Sequence, residues 1–381
     1  MTTWATHPLG SAFAGDDLTG AASRDGDEAF MRRALELARL GWGQTAPNPL
    51  VGAVIVRDGT VVGEGYHARF GERHAEPRAL EAAGERARGA TMYVTLEPCA
   101  HTGKTPPCVE AILRSGIARV EIATADPNPV AAGGMHKLRS AGVDVRVGML
   151  EAEARELNAA WVHALTSTRP WVTLKMAVSL DCAIADRTET TTRITAGPAR
   201  RYAHALRAGH DAVAVGMGTV RTDDPQLTVR EVAPPRVPPT RVVFSRAARL
   251  SLTSTLANSI AQGPVIVTGH SIDPEYERAL RDHGVEVLLS SGLGEMLTAL
   301  RARDIRSILV EGGAGIAGEL LAAHLVDRLV LVQAPIILGQ RSLNAFSMAP
   351  SVTGAEARRW RVVSREVFGD DIATTYAPPD S

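Results

Sequence analysis

From residue 28 onward, apolar and polar positions follow two clear periods. In "EAFMRRALELARLG" (28–41), Phe30, Ala34, Leu35, Leu37 and Ala38 share one helical face and Gly41 ends the run, which predicts a helix. "LVGAVIVRDGTVVGEGYH" (50–67) predicts two β-branched strands turning at Asp58-Gly59, a good hairpin signal. A helix from about His74 to Ala87 follows, then a strand in "TMYVTLEP", a helix after Pro106 in "PPCVEAILRSG" and a strand in "ARVEIATAD". A helix near "MHKLRSAG" and a strand in "VDVRVGM" close the series. This order predicts a mixed sheet covered by helices over residues 26–149.

"LEAEARELNAAWVHALTST" (150–168) reads as a linking helix, and Arg169-Pro170 resets the chain. Beyond it, "WVTLKMAVSLDCAIA", "AVAVGMGTV", "RVVFS", "PVIVTG", "VEVLLS", "SILVEGG" and "RLVLVQAPIIL" are strand candidates. Helical stretches such as "PARRYAHALRAGH" and "GIAGELLAAHL" fall between some of them, so residues 169–381 are expected to form a second α/β domain. The Pro-rich "EVAPPRVPPT" (231–240) is a surface loop within it. The first 25 residues, rich in Gly, Ala, Ser, Thr and Asp, read as a flexible extension.

Composition narrows the function. A length of 381 residues suits two domains, and 45% apolar with 22% charged residues is that of a soluble globular protein. A formal net charge of −1 gives no basic surface for nucleic acid or anionic membrane. Aromatics at 4% offer no base-stacking platform. Three cysteines, Cys99, Cys108 and Cys182, fit a reducing, cytoplasmic setting better than a secreted disulfide framework. No secretory signal or membrane-spanning run is read in the sequence.

Two constellations carry chemistry. His74, Cys99 and Cys108 offer one imidazole and two thiolates, a donor set suited to Zn²⁺ with a fourth position left for water. His74 and Cys108 open predicted helices, where partial positive charge favours thiolate. Glu76, two residues from His74, can exchange protons at such a site. The His-x-Glu…Pro-Cys pattern matches zinc deaminases, although eight residues rather than two separate the cysteines. The second constellation is "GGAGIAG" (312–318), where Gly313, Gly315 and Gly318 form Gly-x-Gly-x-x-Gly between a strand and a helix. With no acid at the end of the next strand, it is either a phosphate loop of a non-Rossmann nucleotide fold or a tight turn.

"PNPLVGAVIV" (47–56), "GEGYHARFGERHAE" (63–76), "TLEPCAHTGKTPPC" (95–108) and "ADPNP" (125–129) together resemble the deaminase half of the bifunctional riboflavin-biosynthesis deaminase/reductase family, in which the longer cysteine spacing is the norm. "RPWVTLKMAVSLD" (169–181), "GTVRTDDPQLTVR" (218–230), "LVEGGAGIAGELL" (309–321) and "APIILG" (334–339) resemble its reductase half. The resemblance implies an N-terminal cytidine-deaminase-like three-layer sandwich and a C-terminal dihydrofolate-reductase-like domain. It implies zinc on His74, Cys99 and Cys108, with Glu76 moving the proton as 2,5-diamino-6-(5-phosphoribosylamino)pyrimidin-4-one loses its 2-amino group. Asn48 would hydrogen-bond the pyrimidine, while His67, His101 and Lys104 would contact the ring or the phosphate.

In the second half the resemblance implies NADPH lined by Ala177, Arg193, Thr219, Asp223, Gly313 and Gly315, with hydride going to C1′ of the ring-opened ribosyl group. Thr191, Arg207, Leu227, Arg230 and Glu311 would hold the substrate, Arg207 and Arg230 through its phosphate. Lys175 belongs to the same motif, and the family suggests a homo-oligomer built through the reductase half. Cys182 stands where the family has glycine, Glu189 where it has a turn glycine, Arg193 where it has tryptophan and Ser245 where it has aspartate. Those departures motivate a second reading, an active deaminase fused to an inactive or repurposed reductase-like domain. A nucleic-acid-editing deaminase is disfavoured by charge and cysteine spacing, and a structural zinc protein by the lack of a fourth Cys or His ligand.

Overall fold

The structure, a computed structural model, describes residues 24–103, 106–186, 193–346, 349, 352–354 and 356–379. Lys104, Glu189 and Thr191 lie outside the described residues. The chain separates into two compact units, one up to Leu165 and one from Thr166 onward.

The first unit contains α1 (Arg24–Arg39), β1 (Gly52–Arg57), β2 (Thr60–Tyr66), α2 (Ala75–Ala83), β3 (Thr91–Val94), α3 (Cys108–Ser115), β4 (Arg119–Ile122), α4 (Gly134–Ser140), β5 (Asp144–Val147), α5 (Glu151–Leu157) and α6 (Ala159–Thr166). One sheet runs β2-β1-β3-β4-β5, antiparallel at the hairpin and parallel from β3 to β5. The hairpin turns at Asp58 (φ 50°) and Gly59 (φ 73°), the positive φ pair that matches strand twist. Period-2 alternation then sorts side chains between two layers. Ala53, Ile55, Met92, Val94, Val120 and Ile122 pack under α2, α3 and α4, while Val54, Val56 and Tyr93 meet α1 and α5. The result is the expected sandwich of helices, sheet and helices.

Where the pattern predicts one helix over 150–168, two occur, broken at Asn158. Its buried amide accepts from the Leu50 N–H at 2.8 Å and donates to the Leu50 carbonyl at 2.9 Å. That pairing satisfies the backbone just ahead of β1 and takes Asn158 out of helical geometry (φ −110°).

The second unit contains β6 (Trp171–Val178), β7 (Ala183–Ala185), α7 (Gly197–Ala208), β8 (Ala212–Gly216), α8 (Met217–Asp223), β9 (Thr240–Phe244), β10 (Val265–Gly269), α9 (Pro274–Asp282), β11 (Val285–Leu289), α10 (Leu293–Arg301), β12 (Ser307–Glu311), α11 (Ala314–Ala322), β13 (Arg328–Gln333), β14 (Leu343–Asn344), β15 (Arg361–Phe368) and β16 (Asp371–Ala377). The large sheet runs β11-β10-β9-β8-β12-β6-β13-β16-β15. Its first seven strands are parallel, and their near-continuous Val, Ile and Leu content is what burial on both faces demands. α10 and α11 cover one face; the other is packed by Leu250, Leu256 and Leu280 and, beside β12 and β13, by α7.

Three details differ from the sequence pattern. "AVAVGMGTV" is strand only to Gly216, whose extended backbone starts α8. β13 stops at Gln333 because Pro335 cannot donate to the ladder. The C-terminal hairpin β15–β16 was absent from the strand candidates, although "RVVSREVFGDDIATTYA" carries β-branched residues around a Gly-Asp turn.

Candidate active sites

In the first unit, His74 precedes α2, Cys108 is the first residue of α3, and Cys99 lies on the loop leaving β3. Their three ligand atoms lie within 4.8 Å of one another. His74 Nδ1 is 3.3 Å from Cys108 Sγ and 3.7 Å from Cys99 Sγ. Zinc bonds of ~2.3 Å to sulfur and ~2.0–2.1 Å to nitrogen, set at tetrahedral angles, place N and S about 3.5 Å apart. The observed spacings bracket that value, so the donor set fits zinc in geometry as well as in softness. The Cys108 N–H donates to Cys99 Sγ at 3.4 Å. The Cys108 thiol and then His74 hold Cys99 well below the usual thiol range, while the same pairing and burial push Cys108 up. The His74 ring is raised, chiefly by Cys99.

Glu76 is 3% exposed, and its Oε2 has no hydrogen-bond partner among the described residues. Burial pushes its carboxyl up to about 6, against the pull of His74. A group so placed can both take and give a proton near neutrality. Asn48 Nδ2 is 3.2 Å from His67 Nε2, and His67 Nδ1 is 3.3 Å from the Arg73 carbonyl. That carbonyl only accepts, so Nδ1 carries the hydrogen, Nε2 accepts from Asn48, and Asn48 Oδ1 is left for other partners. His67 is buried and packs edge-on to His74 at 5.3 Å between ring centres, so the structure gathers Asn48, His67, His74 and Glu76 into one region. His101 sits half-buried just beyond Cys99.

In the second unit, the functional candidates gather at the C-terminal ends of β8, β12 and β6, the usual ligand end of a parallel sheet. Gly312 (φ 69°) and Gly313 (φ 83°) make the turn into α11, and an added Cβ at Gly313 would stand 3.2 Å from Thr219 Oγ1. The start of α8, carrying Thr219, and the start of α11 therefore adjoin, and Gly315 faces open space. Two helix N-termini with a bare backbone suit a phosphate-bearing cofactor. Asp223 is exposed at the end of α8, Ala177 lies on β6 beside Val332, and Arg193 is exposed on the approach to α7.

Arg207 and Glu311 make a two-pronged ion pair, Nε to Oε1 and Nη2 to Oε2, both at 2.7 Å. Arg207 Nη1 also donates to the Thr228 carbonyl at 2.9 Å. The fork expected to grip a phosphate is thus committed to Glu311. Against the upward pull of burial, Arg207 and then Lys175 hold the Glu311 carboxyl down at about 2. Lys175 on β6 stands in register with Glu311 on β12, and burial lowers its amine. Leu227 has positive φ (55°) and a side chain buried in the core beside Val213 and Val243, so only its backbone can face a ligand. Arg230 is exposed, its Nη1 bonded to Gln226 and 3.4 Å from Thr228 Oγ1.

Sequence reading missed His204, whose buried Nδ1 accepts from the Arg230 N–H at 3.2 Å. Burial and the nearby Arg207 and Arg230 push it down to about 4. Nothing local marks it; it is one polar residue on an otherwise buried helical face. Of the four departures from the family pattern, Cys182 adopts a left-handed backbone (φ 58°), and Ser245 is half-buried after β9.

Residues 24–124 match the cytidine and deoxycytidylate deaminase zinc-binding region, and residues 170–374 match the RibD C-terminal domain. The chain is 45% identical to the riboflavin biosynthesis protein RibD of Aquifex aeolicus, over 93% of this chain and 99% of that one. It is 39% identical to RibD of Escherichia coli, over 91% of this chain and 98% of that one. Among solved structures, Acinetobacter baumannii RibD superposes with a TM-score of 0.79 at 37% identity, covering 94% of this chain and all of that one. The Thermotoga maritima diaminohydroxyphosphoribosylaminopyrimidine deaminase/5-amino-6-(5-phosphoribosylamino)uracil reductase also gives 0.79, at 38% identity, covering 93% of this chain and 99% of that one. Among the described residues no helix is long and apolar enough to cross a membrane. With a zinc-binding deaminase region followed by an NADPH-dependent reductase domain, and with full-length relatives on this scale, the chain belongs to the RibD family of bifunctional riboflavin-biosynthesis deaminase/reductases.

Proposed function

We propose that the first unit removes the 2-amino group of 2,5-diamino-6-(5-phosphoribosylamino)pyrimidin-4-one, and that the second reduces the ribosyl chain of the product to ribitylamino. The observation that carries the deaminase reading is Glu76, buried and underbonded beside a His/Cys/Cys set at tetrahedral spacing. His74, Cys99 and Cys108 would hold zinc, which when bound lowers the pKa of a coordinated water. Glu76 would take a proton from the water that adds to C2 and deliver it to the departing amine, so that water and amine exchange as carbonyl and ammonia. Asn48, oriented by His67, would hydrogen-bond the pyrimidine through Oδ1.

In the second unit, Thr219, Asp223, Gly313 and Gly315 would line NADPH, the source of hydride, with Ala177 and Arg193 alongside. Glu311, held by Arg207, would meet the substrate's ribosyl chain together with Lys175. Arg230, exposed and not paired with a carboxylate among the described residues, suits the phosphate better than Arg207. Orientation of the two reactants would then supply most of the rate. The reading includes a reducing compartment and self-association through the second unit.

The test supplies the full chain with the deaminated intermediate and follows NADPH loss. Steady oxidation, abolished by Asp223→Ala, is the expected outcome. Absence of oxidation with deamination intact would instead establish an inactive or repurposed second unit.

A further inference from the structure

Glu97 stands two residues before Cys99 and has no part in the donor set or the substrate contacts above. Its carboxylate is 4% exposed, and among the described residues no ion pair neutralises it. Three backbone N–H groups do so instead. Oε1 accepts from Gly133 at 2.9 Å and Met135 at 3.0 Å, and Oε2 accepts from Asp126 at 3.1 Å. A buried anion is tolerated only with such charge-assisted bonds. The Glu97 N–H adds a bond to the Thr124 carbonyl at 3.0 Å.

The next residues are held by the same neighbouring segment. A Cβ added at Gly134 would stand 1.8 Å from the Pro98 carbonyl oxygen, so the start of α4 lies directly against the peptide entering Cys99. Past Cys99, the Ala100 N–H donates to the Ala131 carbonyl at 3.2 Å, and Lys137 Nζ donates to the Ala100 carbonyl at 2.8 Å. The chain on both sides of Cys99 is therefore pinned to residues 124–137, and the Glu97 carboxylate supplies three of the pins.

We propose that Glu97 is a positioning residue: its carboxylate ties the Cys99 loop to the start of α4 and thereby sets the Cys99 sulfur at tetrahedral spacing from His74 and Cys108. The proposal rests on the zinc reading of that site. Glutamine cannot substitute, because it offers one acceptor oxygen and turns an NH₂ group toward an N–H at the other position.

The experiment loads the full-length protein with Co²⁺, records its visible d–d and sulfur-to-cobalt charge-transfer bands, and measures zinc affinity by competition with a chromogenic chelator. Wild type should give the intense tetrahedral spectrum; its absence would sink the zinc reading itself, separately from the role of Glu97. Glu97→Gln should shift and weaken those bands and lower zinc affinity by about 10–100-fold, the scale of other outer-shell partners of metal ligands. NADPH oxidation by the second unit of the same chain should be unchanged, which separates a displaced sulfur from general damage. Lys137→Ala, an exposed change to the same loop, should move both readouts in the same direction by less. A wild-type spectrum and wild-type zinc affinity in Glu97→Gln would overturn the proposal. If that variant fails to fold, the same null result in Lys137→Ala would overturn it.

Discussion

The two sites solve opposite problems with charge. In the first unit the candidate reacting groups are fixed by backbone and by helix starts, and Glu76 keeps a buried oxygen with no partner among the described residues. In the second, Arg207 and Glu311 already satisfy each other, 104 residues apart in sequence. A group left underbonded is held in readiness for chemistry, and removing it should cost rate. A group paired inside the protein is part of the fold as well as of the site, and removing it should cost stability first.

The sharpest way to break that contrast is Glu76→Gln. It keeps size and removes the proton carrier, so deamination should fall by about 10²- to 10⁴-fold. Zinc content, thermal unfolding and NADPH oxidation should stay at wild-type levels. A large loss of stability would mean that Glu76 is structural after all. The counterpart is Arg207→Ala, which strands a buried carboxylate and should destabilise the second unit by about 3–5 kcal/mol. Urea unfolding followed by a probe in that unit reads the effect. The double variant Arg207→Met/Glu311→Leu should recover most of the stability and none of the reductase activity. Recovery of activity would place catalysis elsewhere.

The same contrast explains what the sequence reveals. The candidate metal site was legible because its three residues sit at punctuation points: a histidine before a helix, a cysteine after Pro106-Pro107, and a cysteine after a strand. The three-layer sandwich was legible because period-2 strands and a primed turn are local signals. The Arg207–Glu311 pair was not, since register between β12 and its neighbours brings a helix on one side of the sheet to a strand end that no spacing rule predicts. Leu227 shows a further limit: its position in a motif was visible, but the burial of its side chain depends on contacts with β8 and β9. The break at Asn158 was hidden likewise, because its partner Leu50 lies 108 residues earlier.

Acid should separate the units again. His204 sits at about 4 in the fold against an ordinary value of ~6.5, so the unfolded chain binds the extra proton first. Stability of the second unit should therefore be full above about pH 6.5 and decline as pH falls toward 4. Glu311, at about 2 against an ordinary ~4.3, adds a second loss from about pH 4.3 down to 2. His204→Asn, which keeps an acceptor for the Arg230 N–H without titrating, should remove the upper part of the decline and leave the lower. Denaturation midpoints across that range check both. An unaltered upper limb in the variant would assign it to another group.

The smallest expected effect concerns a departure from the family pattern. Cys182 occupies a glycine position in a turn whose N–H donates to the Ser179 carbonyl at 3.0 Å, with φ at 58°. The glycine there is explained by backbone conformation, since the partly exposed side chain of Cys182 is accommodated. A side chain in this region costs roughly 1–3 kcal/mol, while glycine gives back about 0.4–1 kcal/mol through the freedom of the unfolded chain. Cys182→Gly should therefore stabilise the second unit by about 1 kcal/mol, the middle of the range those two terms span, with reductase turnover unchanged. Cys182→Val, whose branch clashes more severely in a left-handed turn, should destabilise it. If glycine instead lowers the urea midpoint, the cysteine side chain contributes packing that outweighs the strain, and this departure is an adaptation of the second unit rather than a tolerated cost.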